Sequence, residues 1–306
     1  MAITASQVAE LRKKTGCGMM ECKKALVEAD GNMDEAIKVL RERGLAVAAK
    51  KADRIAADGI VDIMTIGTTT AMIEVNSETD FVAKNDTFKE FVKALLETII
   101  KNKPADVDAL MASAFDTDLT VEAKIKEMIF TIGENLSIRR FVIVEGITSS
   151  YIHGMGSIGV VINFEADDAA VNNAGFAEFA KNIALQTAAY PVAYLDKDSV
   201  PASVIEEEKA VLLAQISNDP ANSKKPDAIK EKMVLGRIGK YYDQNCLMEQ
   251  QYVKDDSMKV KAYVDATAKE FGSSIKVLGF VRYEKGEGIQ KREDNLAEEV
   301  SKMVNG

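Results

Sequence analysis

Residues 59–84 read GIVDIMTIGTTTAMIEVNSETDFVAK, and residues 146–171 read GITSSYIHGMGSIGVVINFEADDAAV. Set against each other at an offset of 87, Gly59-Ile60 falls on Gly146-Ile147 and Gly67 on Gly154. Asn76-x-Glu78-x-Asp80 likewise falls on Asn163-x-Glu165-x-Asp167. Self-similarity at a fixed offset marks a duplicated structural unit. Ahead of each acidic motif lies a β-branched run, 71–75 and 158–162, with the composition of a strand. Beyond each motif, after a slip of one residue, comes an amphipathic helical pattern with Phe-x-x-Phe: Phe88/Phe91, then Phe176/Phe179. Each copy therefore reads as hairpin, strand, then helix. The pair predicts an α+β core of two related subdomains, 56–145 and 146–285.

Upstream, residues 1–55 predict three short helices and a linker. Thr4 caps the first, in which Val8 and Leu11 set the apolar spacing up to a break at Thr15-Gly16-Cys17-Gly18. The second covers 19–29, with Met19, Cys22, Ala25 and Leu26 on one stripe. After the turn Asp30-Gly31-Asn32, a third helix uses Met33, Ala36, Ile37 and Leu40, with Gly44 as its C-cap. Residues 45–58 read as a partly helical linker. Roughly 40 residues in three helices make a marginal core, so this module is expected to dock onto something.

Between the copies a helix near 121–136 and a strand over 140–144 are expected. After the second copy come helical stretches 204–217 and 227–242, joined by the breaker-rich NDPANSKKP. They predict a helical hairpin inserted at about 201–243. A strand over 274–283 follows, and residues 286–306 form a C-terminal module with a helix over 295–304.

The net charge of −9 disfavours direct nucleic-acid binding, which needs a cationic surface. Residues 1–55 hold eleven Lys/Arg and eight Asp/Glu, a net +3, which leaves −12 on the remainder. A slightly basic head on an acidic body suits a protein partner of mixed charge. No stretch approaches the ~20 apolar residues of a membrane span, and the polar N-terminus lacks an apolar leader core. A cytoplasmic protein is expected. Cys17, Cys22 and Cys246 are too few and too scattered for a disulfide framework and read as reduced thiols.

The sequence carries few signatures of chemistry. There is no phosphate-binding Gly-x-x-x-x-Gly-Lys-Ser/Thr, and the glycines at 154, 156 and 159 run into a strand instead of a helix. His153 is the single histidine, which removes multi-histidine metal sites and most histidine-based catalysis. In the turn-like Tyr151-Ile152-His153-Gly154 it reads as a surface residue. Glu78 and Asp80 fall on one face if their segment is extended. No pocket signature accompanies that pair, so neither an enzyme nor a cofactor is expected. The segment Thr79-Asp80-Phe81-Val82-Ala83-Lys84-Asn85 places a phenyl ring between an acid and a breaker-rich stretch. Phe81 alone reads as a core residue. The second copy, however, has Ala166-Asp167-Asp168-Ala169 there, so the shared architecture requires no aromatic.

Six motifs in order give the chain a resemblance. Leu11-Arg12-x-x-Thr15-Gly16-x-Gly18-Met19-Met20-x-Cys22-Lys23-Lys24-Ala25-Leu26, Ala56-Ala57-Asp58-Gly59 and Thr79-Asp80-Phe81-Val82-Ala83-Lys84 are three of them. Ile132-Gly133-Glu134-Asn135 with Arg139-Arg140, Tyr151-x-His153-Gly154 and Gly286-Glu287-Gly288-Ile289 complete the set. Together they resemble the translation elongation factor Ts family across nearly the whole length. The resemblance implies a ubiquitin-associated-like head, a two-part α+β core, a coiled-coil insertion and a C-terminal helix. It implies guanine-nucleotide exchange on elongation factor Tu, with Thr79, Asp80, Phe81 and Val82 dislodging that partner's Mg²⁺. Met19, Met20, Lys23, Gly133 and His153 map to partner contacts. A generic adaptor built on the same head and body stays open as an alternative, as does pairing of two copies into a homodimer.

Overall fold

In the computed structural model, residues 3–290 are described, apart from residue 118. The helix expected over 295–304 lies outside the described residues. The first helix, α1 (Ala5–Thr15), starts at a capping box: Thr4 Oγ1 accepts the Gln7 N–H at 3.3 Å, and Gln7 Oε1 accepts the Thr4 N–H at 3.0 Å. Next come α2 (Met19–Glu28) and α3 (Met33–Lys51). Asn32 caps α3 by accepting the Asp34 and Glu35 N–H groups. Leu11, Cys22, Ala25, Leu26, Ala36 and Leu40 close a small core among the three helices. Gly44 does not end α3 as expected. It sits inside the helix, buried, where a Cβ would lie 3.5 Å from Phe130 Cβ, an ordinary contact.

A hairpin of β1 (Asp58–Ile66) and β2 (Thr69–Ser77) follows, then α4 (Asp80–Lys84), α5 (Asp86–Asn102), α6 (Val107–Ala112) and α7 (Val121–Ile132). The last stops four residues short of its expected end, because Gly133 takes the left-handed conformation at φ 86°. Strand β3 (Leu136–Glu145) pairs antiparallel with β2, giving the order β1-β2-β3. A second run of elements begins with β4 (Ile147–His153), β5 (Ile158–Ala166), α8 (Asp168–Val171) and α9 (Phe176–Ala189). Tyr151, Ile152 and His153 are thus strand residues, and the turn starts only at Gly154. Helices α10 (Ala202–Asn218) and α11 (Asp227–Asn245) pack on each other through Leu212, Ile216, Val234 and Ile238. The short β6 (Gln251–Tyr252) and β7 (Asp255–Lys259), α12 (Val260–Glu270) and β8 (Ile275–Glu284) are the last elements among the described residues. Strand β8 pairs with β5 to give β4-β5-β8.

The fold class is α+β. All nine residues of β2 are buried, which explains a run that does not alternate apolar with polar. Ala71, Ile73 and Val75 of β2 pack with Phe88, Phe91 and Leu95 of α5. Val160, Ile162 and Phe164 of β5 pack in the same way with Phe176, Phe179 and Ile183 of α9. The opposite faces meet each other: Val61 and Met72 contact Val161, flanked by Val142, Val144, Val281 and Tyr283. Gly159 permits that approach, since a Cβ there would come within 2.5 Å of Val61 Cγ1. Cys17, Cys22 and Cys246 are free and buried. Among the described residues no helix is long and apolar enough to cross a membrane.

Candidate functional site

Strand β2 ends at Ser77, and the chain turns sharply into the five-residue helix α4. Ser77 Oγ donates to the Thr79 carbonyl at 2.9 Å and tightens the turn. Thr79 occupies the N-cap position of α4 but makes no side-chain cap bond. Its donors point elsewhere: the Thr79 N–H reaches Glu134 Oε2 at 2.9 Å and its hydroxyl reaches Glu134 Oε1 at 2.6 Å. Asn85 closes α4 and opens α5, accepting the Thr87 and Phe88 N–H groups. Val82 is 6% exposed and belongs to the core beneath. It anchors the turn from below instead of facing outward with its neighbours.

Phe81 stands on the other side of α4 with 77% of its surface exposed. Lys84 Nζ pairs with Asp80 Oδ2 at 2.6 Å and lies 5.7 Å from the Phe81 ring centroid. The Lys84 hydrogen bond, helped by its charge, holds the Asp80 carboxyl below the usual aspartate range. A carboxylate and a phenyl ring are thus presented side by side on the outside of a rigidly footed turn. Glu78 and Asp80 do not converge, contrary to the extended reading. The helix begins at Asp80, and Glu78 turns away to accept the Asn135 N–H at 2.7 Å and to pair with Arg54. Among the described residues, no group of three or more His, Cys, Asp or Glu side chains could hold a metal ion.

The remaining expected residues fall in three places. Met19 and Met20, 58% and 63% exposed, open α2 and line a shallow apolar groove with Ile3, Val8, Arg12 and Lys23. Gly133 is exposed at the end of α7, next to Glu134, and its carbonyl accepts a hydrogen bond from Lys51 Nζ. His153 ends β4, exposed, with Nδ1 3.1 Å from the Tyr151 hydroxyl. Beside it Met155 is exposed on the β4–β5 turn. The structure therefore gathers Thr79, Asp80, Phe81 and Gly133 at one junction. The methionine face lies on the head, and His153 lies on the second hairpin.

The family model described as Elongation factor TS matches residues 78–287, more than half of the chain. A protein of Syntrophotalea carbinolica named Elongation factor Ts is 45% identical over 311 residues, covering 99% of this chain and 100% of its own. The chain belongs to the elongation factor Ts family. For this elongation factor Ts family member the matched region opens at Glu78, on the threshold of the α4 turn. It closes at Glu287, whose carboxylate pairs with Arg140 at 3.2 Å. The resemblance points to Gly133 as a contact, whereas its neighbour Glu134 is the residue that holds Thr79.

Proposed function

We propose that the chain is a guanine-nucleotide exchange factor for elongation factor Tu, acting through Asp80 and Phe81. The observation that carries this reading is the 77% exposure of Phe81 on a turn anchored through Thr79 and Val82. A phenyl ring buried in its own core could not reach a partner. A GTPase holds GDP largely through Mg²⁺ and the backbone donors of its phosphate loop. A factor that binds the nucleotide-free form more tightly than the GDP form weakens GDP by the same factor. Burying one phenyl ring is worth ~1.5–3 kcal/mol, and each ~1.4 kcal/mol of coupling lowers nucleotide affinity about tenfold. Phe81 supplies a substantial part of such coupling by wedging into an apolar site of the partner. Asp80 acts beside it on the polar surroundings of the Mg²⁺ and the phosphate loop. The apolar groove at Met19, Met20 and Lys23 supplies grip, and His153 and Gly133 widen the interface.

The test is stopped-flow release of fluorescent GDP from elongation factor Tu with this chain at substoichiometric concentration. An exchange factor accelerates release and turns over, whereas an adaptor binds without changing the rate. Unaltered release at every concentration would sink the reading.

A further inference from the structure

We propose that Glu134 is a positioning residue for the Phe81 turn, fixing from a neighbouring loop the direction in which the ring projects. The proposal deepens the exchange reading and rests on it for its consequence, though not for its geometry. Helix α4 has five residues, too few to hold an orientation by helical hydrogen bonding alone. Thr79 forgoes its own cap bond and gives both of its donors to the two oxygens of Glu134, at 2.9 and 2.6 Å. Charge-assisted bonds of this kind are about twice as strong as neutral ones. The reverse contact lies alongside: Glu78 Oε1 accepts the Asn135 N–H at 2.7 Å. Residues 78–79 and 134–135 thereby grip each other reciprocally, acid to backbone in both directions.

The grip extends to the head. Asn135 is buried, and its Nδ2 donates to the Ala52 and Arg54 carbonyls at 3.4 and 2.8 Å, just past the end of α3. Arg54 also reaches Glu78 at 3.4 Å. Three chain segments therefore meet at this point: the exit of α3, the β2–α4 turn and the α7–β3 turn. Phe81 is aimed relative to the helix that carries the head by a cross-link of side chains. A ring held in its docking direction before contact loses less freedom on docking. Without Glu134, the turn samples other directions and only a fraction of molecules is ready to wedge.

The experiment has two arms, both on the full chain. In the first, amide hydrogen exchange is read in the free protein. Glu134→Ala should speed exchange at Thr79, whose N–H loses its acceptor, and at Asn85, whose N–H donates to the Val82 carbonyl at the end of α4, at least about tenfold by local opening, while β2 amides keep their protection. Glu134→Gln, which keeps one acceptor oxygen, should fall between. Unchanged exchange at Asn85, whose bond does not involve Glu134, would overturn the proposal. In the second arm, Glu134→Ala should slow maximal GDP release about fivefold in the otherwise natural chain, because the competent fraction falls. In a Phe81→Ala background it should slow release no further, since both changes act through one ring. Full additivity would show that Glu134 acts elsewhere and would also overturn it. If β2 protection collapses in Glu134→Ala, the same two criteria are applied to Glu134→Gln. Should the unaltered chain fail to speed release, the exchange reading falls, and the hydrogen-exchange arm alone decides on the clamp.

Discussion

Phe81 and Asp80 adjoin in sequence but differ in how they bear on the rest of the molecule. The ring has 77% of its surface in solvent, so its removal takes little packing from the fold. Phe81→Ala is expected to leave the thermal midpoint nearly unchanged, as for surface substitutions within ~0.5 kcal/mol, while slowing GDP release at least about tenfold. A normal release rate in that variant would remove Phe81 from the mechanism. Asp80→Ala should slow release in the same direction. The double variant should fall short of the product of the two effects, because neighbours in one contact are not independent. The repeat placed Asp80 opposite Asp167, and the sequence offered no reason to separate them. In the structure they do different work. Asp167 caps its helix by accepting the Ala170 N–H at 2.9 Å, whereas Asp80 lies within its helix and pairs with Lys84. Whether a phenylalanine faces out or in is equally illegible from one sequence. Phe88 and Phe91, seven and ten positions on, are buried. The Glu134 contact that foots the turn spans 55 positions.

Two glycines on α3 and α7, helices that pack together, show what limits the reading of whole elements. Gly44 looks like a stop, following Arg41 and Arg43 as a cap glycine would, yet α3 continues to Lys51. Gly133 lies inside the expected helix and is where α7 ends. Gly133 is glycine because of its backbone conformation, whereas nothing around Gly44 excludes a Cβ. Gly133 adopts φ 86°, which L-residues with a Cβ seldom do. Gly44 faces the Phe130 side chain, and the good helix formers of 45–51 carry the helix onward. The consequence is testable in α3. An added Cβ at 44 would meet Phe130 at 3.5 Å, an ordinary contact, and the backbone there is helical. Gly44→Ala should therefore gain helix propensity, about 0.5–1 kcal/mol, and raise the thermal midpoint by roughly 1–2 °C. Thermal unfolding followed by circular dichroism reads the shift. A lowered midpoint would mean that α3 and α7 pack more tightly than one methyl allows.

At the scale of the whole molecule the duplication was legible, and so were most strands and helices, because periodicity is a local property. What binds the two sheets beyond their apolar faces was not legible, because its members are scattered along the chain. Glu74 lies in the middle of β2 with a fully buried side chain. It pairs with Arg139 at 3.0 Å and Arg140 at 2.6 Å and accepts the Gly286 N–H at 2.8 Å, a partner 212 positions away. Arg140 stacks 4.1 Å from the Tyr283 ring of β8 and reaches Glu287, while Lys285 pairs with Asp58 at 2.8 Å. The Arg139-Arg140 and Gly286–Glu287 motifs thus meet on one buried carboxylate and fasten the end of β8 to the first sheet. Burial pushes the Glu74 carboxyl upward, but the Gly286 N–H and the two guanidinium groups outweigh it and hold it below the usual glutamate range. A carboxyl lowered by folding stabilises fully above its unfolded value, about 4.3, and loses that contribution as the pH falls through the lower folded value. Glu74→Gln removes the charge and leaves two partly buried guanidinium groups without it, at a cost of about 3–5 kcal/mol near neutral pH. In urea unfolding between pH 7 and pH 3, the natural chain should lose stability more steeply below about pH 4.3 than Glu74→Gln, so the two curves converge toward acid. Parallel curves, or a variant as stable as the natural chain at pH 7, would show that the cluster does not hold the sheets together.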